Sequence, residues 1–341
     1  MDDMKRVLYV CTPGHTERVF RPKTWGRMLE EFDLVCNDCG RNFTSEEVAE
    51  QAAGMDGIVT GWGAPKLIPE VFEAAPDLQI IAHSAGSVHG LISEEIASDF
   101  ILPRDITVFS ANGAIAANVA ESAVGMLLMT MRHWVHFNNH IHDAPHWRSS
   151  FYDFNGKFLL GSTVGIVSAS KVGRWVIRLL QPWDCEILVH DPYLSDEDAA
   201  EMGVEKVELN DLFARSDHVT VHAPSLPSTE KMIGDQQLSL LRDGGTLVNT
   251  SRGSVIDHDA LLRHAKTRRI HVCLDVTTPE PLEPTSPFRQ LDNVVITPHV
   301  SGSGHYGYHL IGDMTLQALR DCFAGQPVDG AVPMERYETI A

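Results

Sequence analysis

Two successive runs of short, β-branched strand patterns, each interleaved with helical patterns, limit what this chain can fold into. The first run reads RVLYVC, GIVTGW, LQIIAHS and ITVFSA, with helical stretches near Pro22–Glu31, Ser45–Ala53, Lys66–Ala74 and Ser93–Ser98. The second begins at Thr163 and reads TVGIV, EILVH, HVTVH, TLVNT, HVCLD and NVVIT. Apolar strands alternating with helices are the rhythm of a parallel, doubly wound sheet buried between two helical layers. Two such runs predict an α/β protein of two Rossmann-like domains, for which 341 residues suffice. A long helical pattern from about Ala117 to His140 precedes the second run, and another from about His305 to Phe323 follows it. Both are placed to cross between domains. The first domain is therefore predicted to be discontinuous, residues 1–111 with 302–341, around a second domain of residues 112–301.

Charge narrows the partners. Forty-six acidic residues against 27 basic ones give a formal charge of −19, which argues against nucleic acid or an anionic membrane surface. An anionic substrate must then be drawn in by local positive charge such as Arg252. With 43% hydrophobic and 21% charged residues the chain reads as a soluble globule. No apolar run reaches the roughly 20 residues that span a bilayer, and MDDMKRVLYVC enters a strand pattern without a secretory signal. Six cysteines include one CxxC, Cys36 and Cys39, with no second pair at zinc-ribbon spacing. Others, such as Cys185 and Cys273, sit in apolar strand patterns, so the chain reads as cytosolic and free of disulfides. Five histidines between His133 and His146 include His136 and His140, one helical turn apart; they read as a solvated or interface helix end, with no metal expected.

Open α/β sheets bind ligands outside the carboxyl ends of their strands. Arg252 follows TLVNT, Glu280 follows HVCLD and His299 follows NVVIT, so all three belong at such ends. An arginine fork holds a carboxylate, a histidine moves a proton, and a carboxylate can pair with that histidine. Reduction of a 2-keto acid needs this combination. A dinucleotide turn stands upstream, where strand Val164 to Val167 runs into Ser168-Ala169-Ser170-Lys171-Val172-Gly173. Of the three fingerprint glycines only the last, Gly173, is present. Asp191 stands 18 residues beyond it, where an acid accepts hydrogen bonds from both ribose hydroxyls. Pro192, Tyr193 and Leu194 follow without an arginine for a 2′-phosphate, so NAD is predicted over NADP. Ser170 is placed to donate a hydrogen bond to a phosphate oxygen at a helix N-terminus.

TVGIVSASKVG, ILVHDPY, VHAPSLPST, LVNTSRGSVID, LDVTTPEPL and ITPHVSG, in this order, resemble the successive motifs of the D-2-hydroxyacid dehydrogenases. The resemblance covers nearly the whole chain and is strongest from about Thr163 to Gly302. It implies an NAD-dependent oxidoreductase interconverting a D-2-hydroxy acid and its 2-keto acid, dimeric, with the active site in the cleft between domains. Arg252 then binds the substrate carboxylate and His299 protonates the carbonyl oxygen as hydride arrives from nicotinamide. Glu280 pairs with the histidine and favours its protonated form, with Glu283 a nearby competitor for the role. Formate dehydrogenases of the same superfamily carry glutamine there and alanine at the first glycine, so Glu280 argues for a hydroxy or keto acid and the lost glycine is compatible with NAD.

The resemblance implies cofactor contacts from Ser168, Ser170, Lys171, Val172, Gly173, Asp191, His222, Ala223, Pro224, Thr250, Ser251, Asp275, Ser301 and Gly302. Asp275 fits a structural strand cap equally well. The loop HSAGSVHG, with Ala85, Gly86 and Ser87, is expected to present backbone N–H groups to the substrate carboxylate. Thr60 and Trp62 end the preceding strand and are expected to face the same cleft. Trp147 aligns with an aromatic in a segment that reaches the partner subunit, which supports a homodimer. The chain ends soon after its last helical pattern, so the regulatory domain of some phosphoglycerate dehydrogenases is not expected. Two other readings stay open. One is an NADH sensor or corepressor-like module with a vestigial site, motivated by the two lost glycines. The other is a phosphoglycerate or phosphite dehydrogenase, the latter needing extra cationic groups that the sequence does not place.

Overall fold

The computed structural model describes residues 4–143 and 156–339; His146 and Trp147 lie outside the described residues. The chain divides into two compact units, one holding residues up to Ile115 and from Ser303 onward, the other Ala116–Gly302.

In the first unit β1 (Arg6–Tyr9), β2 (Asp33–Cys36), β3 (Gly57–Thr60), β4 (Ile80–His83) and β5 (Thr107–Ser110) form one parallel sheet in the order β2-β1-β3-β4-β5. β3 and β4 are buried at every position, as a sheet covered by helices on both faces requires. Leu8, Ile58, Ile81 and Val108 pack on one face against Val48, Val71 and Phe72. Val7, Tyr9, Val59, Ile80 and Phe109 pack on the other against Met28 and against Ile311, Leu316 and Leu319 of the helix His305–Phe323. β2 is absent from the strands read in the sequence. It is an edge strand pairing only with β1 and exposing Asp33 and Cys36, so it shows no apolar run.

The second unit holds β6 (Thr163–Val167), β7 (Glu186–His190), β8 (Glu205–Lys206), β9 (His218–Val221), β10 (Thr246–Asn249), β11 (His271–Leu274) and β12 (Val294–Ile296). They too are parallel, in the order β12-β11-β10-β9-β6-β7-β8. The chain runs outward from β6 to β8, then crosses back to lay β9 on the other side of β6. Strand order therefore reverses beside β6, and the carboxyl ends of β6 and β9 flank a topological switch point, where such sheets bind ligands.

The long pattern predicted over Ala117 to His140 is two helices, Asn112–Met131 and Trp134–Asp143. His133 between them adopts a left-handed backbone with φ 55°. Glycine or asparagine normally marks such a stop, and a histidine gives the sequence no sign of it. By length and composition the helix Asn112–Met131 is apolar enough to cross a membrane, although Asn118, Glu121 and Ser122 interrupt its apolar run; half of it is buried within the protein.

Candidate active site

Every strand of the second unit that borders the switch point hands the chain to a predicted site residue. After β6, Ser168 holds φ 79°, the left-handed region that suits the glycine of the fingerprint. Its hydroxyl donates to Asp191 Oδ2 at 3.1 Å, Ala169 N–H donates to the same oxygen at 2.8 Å, and Tyr193 N–H donates to Oδ1 at 2.8 Å. Asp191, 9% exposed, is thus tied onto the turn it faces. A carboxylate offers about four acceptor positions, so about one remains for a ribose hydroxyl instead of the expected pair.

Ser170 caps the helix Lys171–Leu180: its Oγ accepts from Gly173 N–H at 3.3 Å and donates to the His222 carbonyl at 2.9 Å. Its single proton is taken by a carbonyl at the end of β9, which corrects the expectation that it donates to phosphate. A Cβ at Gly173 would overlap the Ser168 carbonyl, so the one retained glycine is required for helix to pack on strand. The His222 ring is buried, bonds Thr220 Oγ1 at 3.0 Å, and is held neutral by burial with its pKa pushed down to about 3. Only its backbone faces the turn. At the end of β10 the buried Thr250 Oγ1 has no partner. A buried hydroxyl left open past a strand end of this sheet fits a dinucleotide site.

β10 leads into Thr250-Ser251-Arg252. The Asn249 side chain accepts from Ser251 N–H at 3.0 Å and Ser251 Oγ at 2.9 Å, and donates to the Arg252 carbonyl at 3.0 Å. Arg252 is exposed; its Nη1 donates to the Ser251 carbonyl at 2.7 Å, and its fork meets no carboxylate among the described residues. A Cβ at Gly253 would overlap the Thr277 backbone, so the Arg252 turn runs hard against the loop that leads to Glu280. Glu280 Oε1 lies 2.5 Å from His299 Nδ1, with the two side chains 42% and 46% exposed. Glu283 makes no such contact.

Asp275, 2% exposed, holds the turn that carries His299. It accepts from Thr297 Oγ1 at 2.5 Å and from the N–H groups of Val300 and Ser301, each at 2.9 Å, while its carbonyl accepts from His299 N–H at 2.8 Å. Of its two readings, this geometry is that of a turn clamp. Asp275→Asn is expected to lower kcat by about ten- to hundredfold, because a catalytic group misplaced by about 1 Å costs that much. Steady-state kinetics check this; a kcat equal to that of the parent would show that the turn holds without the carboxylate. Further along, the Ser301 and Gly302 carbonyls accept from Ser122 Oγ at 2.9 Å and Asn118 Nδ2 at 3.2 Å.

In the first unit the expectation for Thr60 is corrected. It is fully buried and its Oγ1 bonds His83 Nδ1 at 2.9 Å, as befits a strand covered on both faces. Trp62 is 40% exposed, with its ring 5.4 Å from that of His15 and 5.3 Å from that of Tyr308. Ser110 Oγ donates to the Gly86 carbonyl at 2.5 Å, while the N–H groups of Ala85, Gly86 and Ser87 meet no acceptor among the described residues. Three adjacent open N–H donors suit an anion. Beneath this loop Ser84 Oγ donates to the Thr60 carbonyl at 2.7 Å, so it accepts from His15 Nε2–H at 2.9 Å. Burial pushes His15 and His83 down to about 4, so both are neutral near pH 7. His15 and Ser84 carry no sequence signal; only the fold brings them together. Cys36 and Cys39 are exposed thiols, and no three His, Cys, Asp or Glu side chains converge on a metal site among the described residues.

Residues 124–301 match the family model described as D-isomer specific 2-hydroxyacid dehydrogenase, NAD binding domain. The chain is 30% identical over 294 residues to the D-3-phosphoglycerate dehydrogenase of Archaeoglobus fulgidus, covering 86% of this chain and 54% of that protein. It is 31% identical over 275 residues to the glyoxylate reductase of Korarchaeum cryptofilum, covering 80% and 81%. It spans about half the length of the phosphoglycerate dehydrogenases it matches. A solved phosphoglycerate oxidoreductase from Rhizobium etli has the same fold, with TM-score 0.83 at 22% identity over 98% of this chain and 100% of that one.

Proposed function

The chain belongs to the D-isomer specific 2-hydroxyacid dehydrogenase family, and on that premise we propose that it interconverts a D-2-hydroxy acid and its 2-keto acid with NAD. The observation that carries this reading is Glu280 at 2.5 Å from His299 Nδ1, in the unit that also presents an arginine with no carboxylate partner among the described residues. With Nδ1 occupied by the carboxylate, Nε2 is the nitrogen left to pass a proton to the substrate carbonyl oxygen and to take it back in oxidation. Arg252 grips the substrate carboxylate through two parallel N–H bonds, and the open N–H groups of Ala85, Gly86 and Ser87 give the first unit an anion-binding element of its own. The nicotinamide supplies or accepts the hydride. In this reading Ala116–Gly302 binds NAD, the rest binds substrate, and the enzyme acts as a cytosolic homodimer. Relatives named for phosphoglycerate, glyoxylate and hydroxypyruvate make these acids the first substrates to test.

Fluorescence titration with NADH is expected to saturate in the micromolar range. NADPH is expected to bind at least about tenfold more weakly, because its 2′-phosphate would meet the Asp191 carboxylate. Failure of both to bind would sink the reading. The rival, an NADH sensor, rests on Ser168 and Ser170 in place of glycines, and turnover of any keto acid in the panel separates the two. Glu280→Gln is expected to keep the hydrogen bond but lose the charge, lowering kcat by about a hundredfold with little change in NADH affinity. A kcat within about twofold of the parent would show that the carboxylate is not needed.

A further inference from the structure

The carboxyl edge of the five-stranded sheet carries a row of aromatic rings that starts at the anion-binding loop. β3 and β4 are neighbours in register, with Thr60 opposite His83. Ser84 N–H donates to the Thr60 carbonyl at 2.8 Å, so the pairing runs one step past the strands and Gly61-Trp62 lie beside Ser84-Ala85. Neighbouring strands are about 4.8 Å apart. The Trp62 backbone therefore stands one strand over from the open N–H groups of Ala85, Gly86 and Ser87.

Packing fixes the row. His15 Nε2–H donates to Ser84 Oγ at 2.9 Å, and the imidazole lies flush against Gly61, where a Cβ would overlap it. Any residue other than glycine at 61 would push the ring away. The Trp62 ring comes next, 5.4 Å from that of His15, and the Tyr308 ring follows at 5.3 Å, edge to face at 72°. The Tyr308 hydroxyl donates to Ser303 Oγ at 3.0 Å, and the Arg18 guanidinium, 6.0 Å from the Tyr308 centroid, marks the outer end. All of these residues belong to the first unit.

The row offers ring surface and little else. His15 is buried and neutral near pH 7, and Tyr308 has given its hydroxyl proton to Ser303. Trp62 is held by a ring on either side and is still 40% exposed. A large aromatic side chain so anchored loses little freedom on binding and has apolar area left to cover. Aromatic rings meet edge to face at about 4.5–7 Å between centroids and gain more than their buried area alone provides. A 2-keto acid seated with its carboxylate on the loop points its side chain away from that carboxylate. One methylene then carries an aryl group across the strand spacing onto His15 and Trp62.

We propose that Trp62, backed by Tyr308, determines the specificity of the substrate unit and selects 2-keto acids with an aryl side chain; the proposal rests on the dehydrogenase reading. Phenylpyruvate and pyruvate, which differ only in the phenyl group, are the probes. With NADH the whole protein is expected to show kcat/KM about a hundredfold higher for phenylpyruvate. Trp62→Ala is expected to cut the ratio of the two kcat/KM values by about thirtyfold, and Trp62→Phe to keep it within about fivefold of the parent. A merely structural Trp62 would lower both values alike and leave the ratio unchanged, which would overturn the proposal. NADH fluorescence reports that the variants are folded. Binding is read separately by calorimetric titration of the NADH-saturated protein with D-phenyllactate and with D-lactate, since cofactor and ligand are then both reduced and no hydride moves. D-phenyllactate is expected to bind at least about tenfold more tightly, and to lose that margin in Trp62→Ala. Turnover of pyruvate as fast as or faster than phenylpyruvate would overturn the selection and leave the dehydrogenase reading standing. Trp62-dependent binding of D-phenyllactate with no turnover of either keto acid would remove that reading and leave the aryl site. Neither binding nor turnover of the aryl compounds would overturn the proposal.

Discussion

Replacing His299 with alanine is expected to lower kcat by about a thousandfold or more while the NADH dissociation constant stays within about twofold. Hydride arriving at a carbonyl carbon leaves charge on the oxygen, and a positioned acid contributes roughly 10²- to 10⁴-fold by neutralising it as it forms. Glu280 Oε1 lies 2.5 Å from His299 Nδ1, which leaves Nε2 to face the substrate. Its side chain is 46% exposed and its turn is suspended from Asp275, so alanine removes the imidazole without opening a core cavity. The thermal midpoint should therefore hardly move. Steady-state kinetics with the best keto acid, beside an NADH titration, separate the outcomes. Residual activity within tenfold of the parent would remove His299 from its role.

Arg252 should show the second large effect. Arg252→Ala is expected to lower kcat/KM by about a thousandfold and Arg252→Lys by about a hundredfold. Lysine restores the charge but not the planar fork, and only the fork makes two parallel bonds to a carboxylate. The guanidinium is exposed, and among the described residues its one bond goes to the neighbouring Ser251 carbonyl and it has no ion pair to lose. The loss should appear with carboxylate substrates and leave NADH affinity intact. If lysine restored kcat/KM fully, the fork would be dispensable and Arg252 would act as a point charge.

The strand ends were legible because parallel strands buried on both faces are rich in β-branched and apolar residues, so TVGIV, HVTVH and TLVNT stand out from the polar turns that follow them. Arg252 and His299 fall at such stops, and their order along the chain could be read. The bonds that set their geometry could not. Asp275 and Glu280 are both acids beyond β11, five residues apart; the family resemblance pointed to Glu280 as the partner of the ring, while the bonds by which Asp275 clamps the turn appear only in the fold. Ser170 looked free to serve a ligand because the His222 carbonyl that takes its proton lies 52 residues downstream. β2 and the break at His133 were missed for local reasons. The first is a half-exposed edge, and the second uses a residue that rarely adopts left-handed backbone.

The first unit imposes an order on the birth of the protein. The face formed by Val7, Tyr9, Val59, Ile80 and Phe109 is completed by Ile311, Leu316 and Leu319, and the ribosome must first make the 187 residues from Ala116 to Gly302. At roughly 5–20 residues per second that is a wait of about 10–40 s, during which the first unit has all five of its strands but lacks its closing helix. A nascent chain in this interval presents an open apolar sheet, a form that holdase chaperones recognise. Its vulnerability to aggregation therefore belongs to synthesis more than to the mature fold.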